Sequence, residues 1–157
     1  DHSTAYEHAQ RAVKFNPSFA LSYLWLGMSQ VHSGDYQQGE ITILKAFELS
    51  PADPELTSFH ANLYLACLGQ GKYEEALEAI EQALLPYPDA GALLGHRVAV
   101  LGHLERGPEA KTALDRYLAL RPNLKTRDQY RRIFIPNSAL ADPMIEGLVK
   151  AGWEPDE

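Results

Sequence analysis

Apolar residues recur at three- and four-residue steps in successive segments of the chain, and polar residues fill the positions between them. This spacing gives an amphipathic helix with one buried stripe. Each second segment stops at a proline, and these prolines lie 34, 37 and 34 residues apart, at Pro17, Pro51, Pro88 and Pro122. The chain is therefore predicted to be a series of helical hairpins of nearly constant length.

A period near 34 residues with two helices per period is the signature of tetratricopeptide repeats. One hairpin cannot bury its own apolar face, so such hairpins stack into a solenoid. We predict an all-α, right-handed solenoid with a half repeat at 1–17, repeats at about 20–51, 54–88 and 91–122, and capping helices at 123–157.

Turn and cap residues set the expected helix ends. Gly34 suits a helix C-terminus that needs a positive φ. Asp53 followed by Pro54 predicts a helix start, so the second front helix is expected from about Pro54 to Leu68. Paired helices are expected to approach closely at small residues, which are Gly27, Gly39 and Ala46.

The period is lost after Pro122. Thr126 and Gln129 have the spacing of a capping box, which predicts a short helix through Ile133 that Phe134–Asn137 breaks. A last helix is expected to begin between Ser138 and Asp142 and to end at Gly152, with Ile145, Leu148 and Val149 on one side. This tail either caps the last apolar face or folds into the groove as a self-ligand.

The first segment, with Ala5, Ala9 and Ala12 before Pro17, has the pattern of the second helix of a repeat. The front helix of that repeat is missing. We therefore expect the chain to be a C-terminal fragment of a longer protein.

Composition narrows the possible functions. The 157 residues carry a net charge of −7, which disfavours nucleic acid as a partner. Apolar runs are too short for a membrane span and no signal peptide is visible, so a cytoplasmic location is expected. The single cysteine, Cys67, lies in an apolar helix and is expected to be an inert buried thiol.

The sequence predicts no catalysis and no cofactor. His96 and His103 are seven residues apart, which separates them by about 10 Å on a helix, too far to share one metal ion. No phosphate-binding loop or hydrolase motif occurs. The acidic set at Asp35, Glu74, Glu75, Glu78 and Glu81 is expected to be a solvated face.

Three stretches carry a resemblance to a known arrangement: Leu49-Ser-Pro-Ala-Asp-Pro54, Gly71-Lys-Tyr-Glu-Glu-Ala-Leu77 and Glu146-Gly-Leu-Val-Lys-Ala-Gly152. They resemble the tetratricopeptide tail of bacterial class III adenylate/guanylate cyclases and related multidomain regulators. The resemblance implies a catalytic domain before the repeats, and a regulatory or assembly role for this piece. No metal-binding or nucleotide-contacting residue of such a domain can be placed here.

In paired-helix solenoids the front helices line a concave groove. The residues predicted to line it are Leu21, Leu24, Met28, Val31 and His32 in the first repeat, Ser58, Ala61, Asn62, Leu65 and Leu68 in the second, and Ala92, Gly95, His96, Ala99 and His103 in the third. This lining is apolar, and it suits an apolar helix or an extended apolar segment. Tetratricopeptide domains that bind the C-terminal carboxylate of heat-shock chaperones use Lys, Arg and Asn at the matching positions. Only Asn62 agrees with that set, so binding of a chaperone tail is not expected.

The favoured function is a protein–protein interaction module that binds an apolar segment of another protein or of another domain of its own chain. The alternative is a structural self-association segment, including a homodimer through the face that the missing front helix would cover. The groove assignment predicts that Leu24→Glu and Leu65→Glu weaken partner binding and leave helicity nearly unchanged.

Overall fold

The structure is a computed structural model that describes residues 2–133 and 139–156. Within these ranges the chain is all-helical, as predicted, and its one β feature is an isolated bridge between Thr126 and Asp156. The predicted break at Phe134–Asn137 lies outside the described residues. The helices are α1 (His2–Phe15), α2 (Ala20–His32), α3 (Tyr36–Leu49), α4 (Leu56–Gly69), α5 (Tyr73–Leu84), α6 (Gly91–His103), α7 (Gly107–Leu120), α8 (Arg127–Ile133) and α9 (Ala141–Lys150).

The chain divides into two compact units, residues 1–83 and residues 84–157. Helices α1 to α4 and nearly all of α5 belong to the first unit, and α6 to α9 belong to the second. The predicted third repeat and the tail that follows it thus share one unit.

In the first unit α2 and α3 form a hairpin that closes on small residues. A Cβ atom on Gly27 would lie 2.5 Å from Cγ1 of Ile43, and one on Gly39 would lie 2.6 Å from Cγ2 of Val31. Ala46 has no exposed surface. The predicted close approach is confirmed at Gly27 and Gly39, where a larger side chain would force the helices apart.

Helix α4 packs against α3 and α2, and α1 packs against the other side of α2. The rings of Phe47 and Phe59 meet edge to face, 5.3 Å apart. Glu40 on α3 accepts hydrogen bonds from Lys72 (2.6 Å) and Gln70 (2.7 Å). Burial raises the pKa of Glu40, but these bonds outweigh burial and hold the pKa below its ordinary value.

The second front helix begins later than predicted. Helix α4 starts at Leu56 and not near Pro54. The Asp53 carboxylate accepts the amide of Glu55 at 2.9 Å, and the Asp53 carbonyl accepts the amide of Leu56 at 3.2 Å. Asp53 therefore closes a turn before the helix, because both of its acceptors are taken by residues of that turn.

In the second unit α6 pairs with α7, and α9 also packs on α6. Helix α7 begins at Gly107 with a proline in its first turn, as the sequence indicates. The crossing of α6 and α9 is very close: a Cβ atom on Gly102 would overlap the carbonyl oxygen of Gly147, and one on Gly147 would overlap the carbonyl of Ala99.

The tail follows its cap signals. Thr126 Oγ1 accepts the amide of Gln129 at 3.2 Å, and Gln129 Oε1 accepts the amide of Thr126 at 2.9 Å, which confirms the capping box. Ile145 and Leu148 are buried in the stripe of α9, as predicted. Val149 is expected beside them, but the structure leaves it 38% exposed.

Among the described residues, four helices end with the same backbone hydrogen bonds and with a residue of positive φ just past the C-cap. Glycine supplies this residue at three of them: Gly34 after α2, Gly71 after α4 and Gly152 after α9, with φ of 88°, 71° and 102°. At the end of α6 the position is Glu105, with φ of 56°, and the amide of Arg106 still bonds the carbonyl of Leu101. A side chain in the left-handed region is strained, so α6 ends at some cost.

We therefore expect Glu105→Gly to raise the free energy of unfolding of the chain by about 0.5–1 kcal/mol, because glycine removes this strain. Gly34→Ala is the matched control: nothing lies near its Cβ position, so its expected loss of about 1 kcal/mol reports φ alone. Urea unfolding measures both. An unchanged or lower free energy of unfolding in Glu105→Gly would contradict the strain at Glu105, just past the C-cap of α6.

Candidate protein-binding surface

The structure places about half of the predicted groove residues in the core. Helix α2 is contacted by α1, α3 and α4, so little of its surface stays free. This corrects the expectation that these side chains face a ligand. The buried members are Leu24, Val31, Asn62, Leu65, Leu68, Gly95 and Ala99.

Other predicted positions lie at least partly at the surface. On α4 these are Ser58 and Ala61, both half-buried, and the Ser58 carbonyl accepts the Asn62 amide at 2.8 Å. On α6 Ala92 is exposed and His96 is half-buried. Burial lowers the pKa of His96 to about 4, so this imidazole is neutral at physiological pH.

On α6 the chain covers part of its own predicted groove. Ala99 lies directly beneath Gly147 of α9. His103 Nε2 donates a hydrogen bond of 2.7 Å to the carbonyl oxygen of Pro143, in the first turn of the same helix. Helix α9 thus covers part of the α6 surface that the sequence assigns to the groove.

The predicted residues of α2 that keep accessible surface are Leu21, Met28 and His32. Met28 and His32 line an open cleft of about 450 Å³ between α2 and α1. The remaining lining residues are Ser29 and Trp25 of α2 and Ala5, His8, Ala9 and Ala12 of α1. The cleft therefore combines predicted residues of α2 with a wall formed by α1, which was not predicted from the sequence.

Trp25 is the main residue that sequence reasoning missed. It is 50% exposed and meets Phe19 edge to face, with ring centroids 6.4 Å apart. Trp25, Met28 and His32 fall at i, i+3 and i+7 on one helix, and this spacing could have placed the tryptophan on the same face.

The polar groups of the α2 wall are bonded to their own helix. Ser29 Oγ donates to the carbonyl of Trp25 at 3.0 Å, and His32 Nδ1 donates to the carbonyl of Met28 at 2.8 Å. Among the described lining residues there is no aspartate, glutamate, lysine or arginine. The surface combines an indole, a thioether and three alanines with the imidazoles of His8 and His32, and its apolar part suits the burial of apolar side chains.

Cys67 is the single thiol of the sequence, and it does not line this cleft. Cys67 is buried as expected, and burial raises the pKa of its thiol to about 12. Across residues 2–133 and 139–156 no three metal-ligating side chains come together. Among the same residues no helix has the length and apolar character needed to cross a membrane.

Comparison with known families bears on the hairpin that forms one wall of the cleft. Residues 20–53, which include α2, α3 and the turn after them, match the tetratricopeptide repeat family. A tetratricopeptide repeat is found at residues 20–53. Such repeats generally bind protein partners and are generally non-catalytic. No curated protein matches the sequence.

Proposed function

We propose that this chain is a protein–protein interaction module whose α1–α2 cleft binds an apolar helical segment of a partner protein. The observation that carries the proposal is Trp25, which belongs to the matched repeat, is half exposed and lines the open α1–α2 cleft. Exposed tryptophans are enriched among the residues that dominate binding energy.

The lining favours a helix as the occupant. The α1 wall holds three alanines, which let another backbone approach, beside His8, and the α2 wall offers Trp25 and Met28 to interdigitate with apolar side chains. Because the described lining contains no aspartate, glutamate, lysine or arginine, a partner gains little there from charged groups of its own. An amphipathic helix that lays its apolar face in a groove meets these conditions.

We expect Trp25→Ala to weaken binding of such a helix roughly tenfold, because truncation removes the largest apolar contact of the cleft. The probe is a synthetic peptide of about five helical turns, with leucine and alanine on one face and glutamine and serine on the other. Isothermal titration gives the Kd. Ile41→Ala is the control, since Ile41 is 55% exposed on α3 and does not line the cleft. Equal losses in both variants would contradict the proposal.

Self-association is the second candidate, because Phe19, which contacts Trp25, is 43% exposed and Phe15 at the end of α1 is 82% exposed. In that case the occupant of the cleft is another copy of the chain. Sedimentation equilibrium separates the two functions. A dimer that Trp25→Ala returns to monomer would assign the cleft to self-association, whereas a monomer at all concentrations supports a different partner.

We further propose that this module is the regulatory C-terminal part of a bacterial signalling protein, a nucleotide cyclase, that it acts in the cytoplasm and that it is itself non-catalytic. Support comes from the three stretches at 49–54, 71–77 and 146–152. The sequence that precedes Asp1 in the parent protein tests this directly. A cyclase domain there would support the proposal, and an unrelated domain would overturn it.

A further inference from the structure

Charge is divided unevenly between the two units. Residues 1–83 contain eleven acidic and four basic side chains, whereas residues 84–157 contain ten of each. Within the second unit the basic residues concentrate in the segment 116–132, where six basic side chains accompany one acidic side chain, Asp128. This chain, acidic as a whole, therefore carries a locally basic surface.

Two of these basic residues line a second cleft, of about 380 Å³, between the end of α7 and α8. Arg121 and Arg132 belong to its lining, and none of the described lining residues is an aspartate or glutamate. The rest of the lining is Leu120, Pro122, Asn123, Leu124, Gln129 and Ile133. Leu120 and Ile133 are 47% and 50% exposed, so the cleft offers apolar surface beside positive charge.

The guanidinium groups of this cleft lack acidic partners within the described residues. The other arginines of α6 to α8 that form ion pairs do so elsewhere: Arg97 with Glu109, Arg116 with Asp89, and Arg131 with Asp128 and Asp142. Neither Arg121 nor Arg132 pairs with any carboxylate that the structure describes. Their charges are therefore not neutralised by a carboxylate within the described residues.

The partial negative charges at the two helix C-termini do not neutralise Arg121 and Arg132. Arg121 is the C-cap of α7 and Arg132 lies in the last turn of α8, where the helix dipole favours a cation. Each helix C-terminus carries about half a negative charge, so the two ends together offset about one of the two positive charges. The cleft keeps a net positive charge next to apolar side chains.

We propose that the α7–α8 cleft binds an acidic peptide segment that carries an apolar anchor side chain. Arginine pairs with carboxylates through two parallel hydrogen bonds, and Leu120, Leu124 and Ile133 give the anchor a place to pack. None of the described lining residues is aromatic. This site has another location and another ligand chemistry than the α1–α2 cleft.

The test uses the full chain and a fluorescein-labelled synthetic peptide in which glutamates flank leucines. Fluorescence anisotropy is expected to show binding that weakens as salt rises. The double variant Arg121→Gln/Arg132→Gln is expected to weaken binding at least about tenfold. Arg127→Gln is the matched control, because Arg127 lies on α8 and does not line the cleft, and it is expected to stay within about twofold.

Two altered peptides test the two halves of the proposed ligand. Lysines in place of the glutamates are expected to abolish binding, and serines in place of the leucines are expected to weaken it about tenfold. Undiminished binding in the double variant, or tighter binding of an oligonucleotide of equal charge, would overturn the proposal. Because Trp25→Ala leaves this site intact, either cleft can fail its test without the other.

Discussion

Gly102→Ala is expected to lower the free energy of unfolding of the second unit by about 3 kcal/mol. The added methyl group would overlap the carbonyl oxygen of Gly147, which is backbone and cannot rotate away. Helix α9 would have to shift from α6, and the hydrogen bond from His103 to Pro143 would be strained. Helix propensity alone predicts the opposite sign, because alanine favours a helix over glycine by about 1 kcal/mol.

Urea unfolding followed by the fluorescence of Trp153, which is 4% exposed, measures this change. The background variant Trp25→Phe leaves Trp153 as the sole tryptophan. Gly107→Ala is the control: it is also a helical glycine, but nothing lies near its Cβ position, and we expect a change within about 0.5 kcal/mol. A stabilised Gly102→Ala protein would contradict the close crossing of α6 and α9.

Leu24→Glu is expected to unfold the first unit or to lower its free energy of unfolding by about 4 kcal/mol. Leu24 is 3% exposed and packs with Ala20, Ala46 and Phe59. A glutamate there would bury a carboxylate without a partner, which costs several kcal/mol. This replaces the expectation, drawn from the sequence, that the change weakens partner binding and preserves helicity.

Circular dichroism during urea titration measures the effect. Leu44→Glu is the matched control, because Leu44 is the same residue type, 43% exposed on α3, and we expect a change of about 0.5 kcal/mol or less. A Leu24→Glu protein as stable as the Leu44→Glu protein would contradict the burial of Leu24. It would support the assignment of Leu24 to the groove.

The sequence predicts the local features of this fold well. The capping box at Thr126, the positive φ of Gly34 and the small residues at the α2–α3 crossing depend on neighbours within one turn or one hairpin. Such features follow from residue type and spacing. The match of residues 20–53 to a known repeat covers the hairpin with the clearest such signals.

The candidate site is predicted less completely, because periodicity says which residues share a helix face and not which helix covers that face. Leu24 and Met28 are one turn apart, yet Leu24 is buried and Met28 lines the α1–α2 cleft. For the same reason the contact of Gly147 could not be predicted from the sequence. Its lack of a side chain is visible in the sequence, but only the fold places it against Ala99.

The most direct test of the account is acrylamide quenching of Trp25 fluorescence as the apolar helical peptide is added. Trp25 is 50% exposed and Trp153 is 4% exposed, so nearly all of the quenching reports the α1–α2 cleft. The bound peptide is expected to shield Trp25 and to lower the quenching constant at least about twofold. The decrease is expected to follow the degree of binding that the Kd from titration gives. Peptide binding that leaves the quenching of Trp25 unchanged would contradict the account.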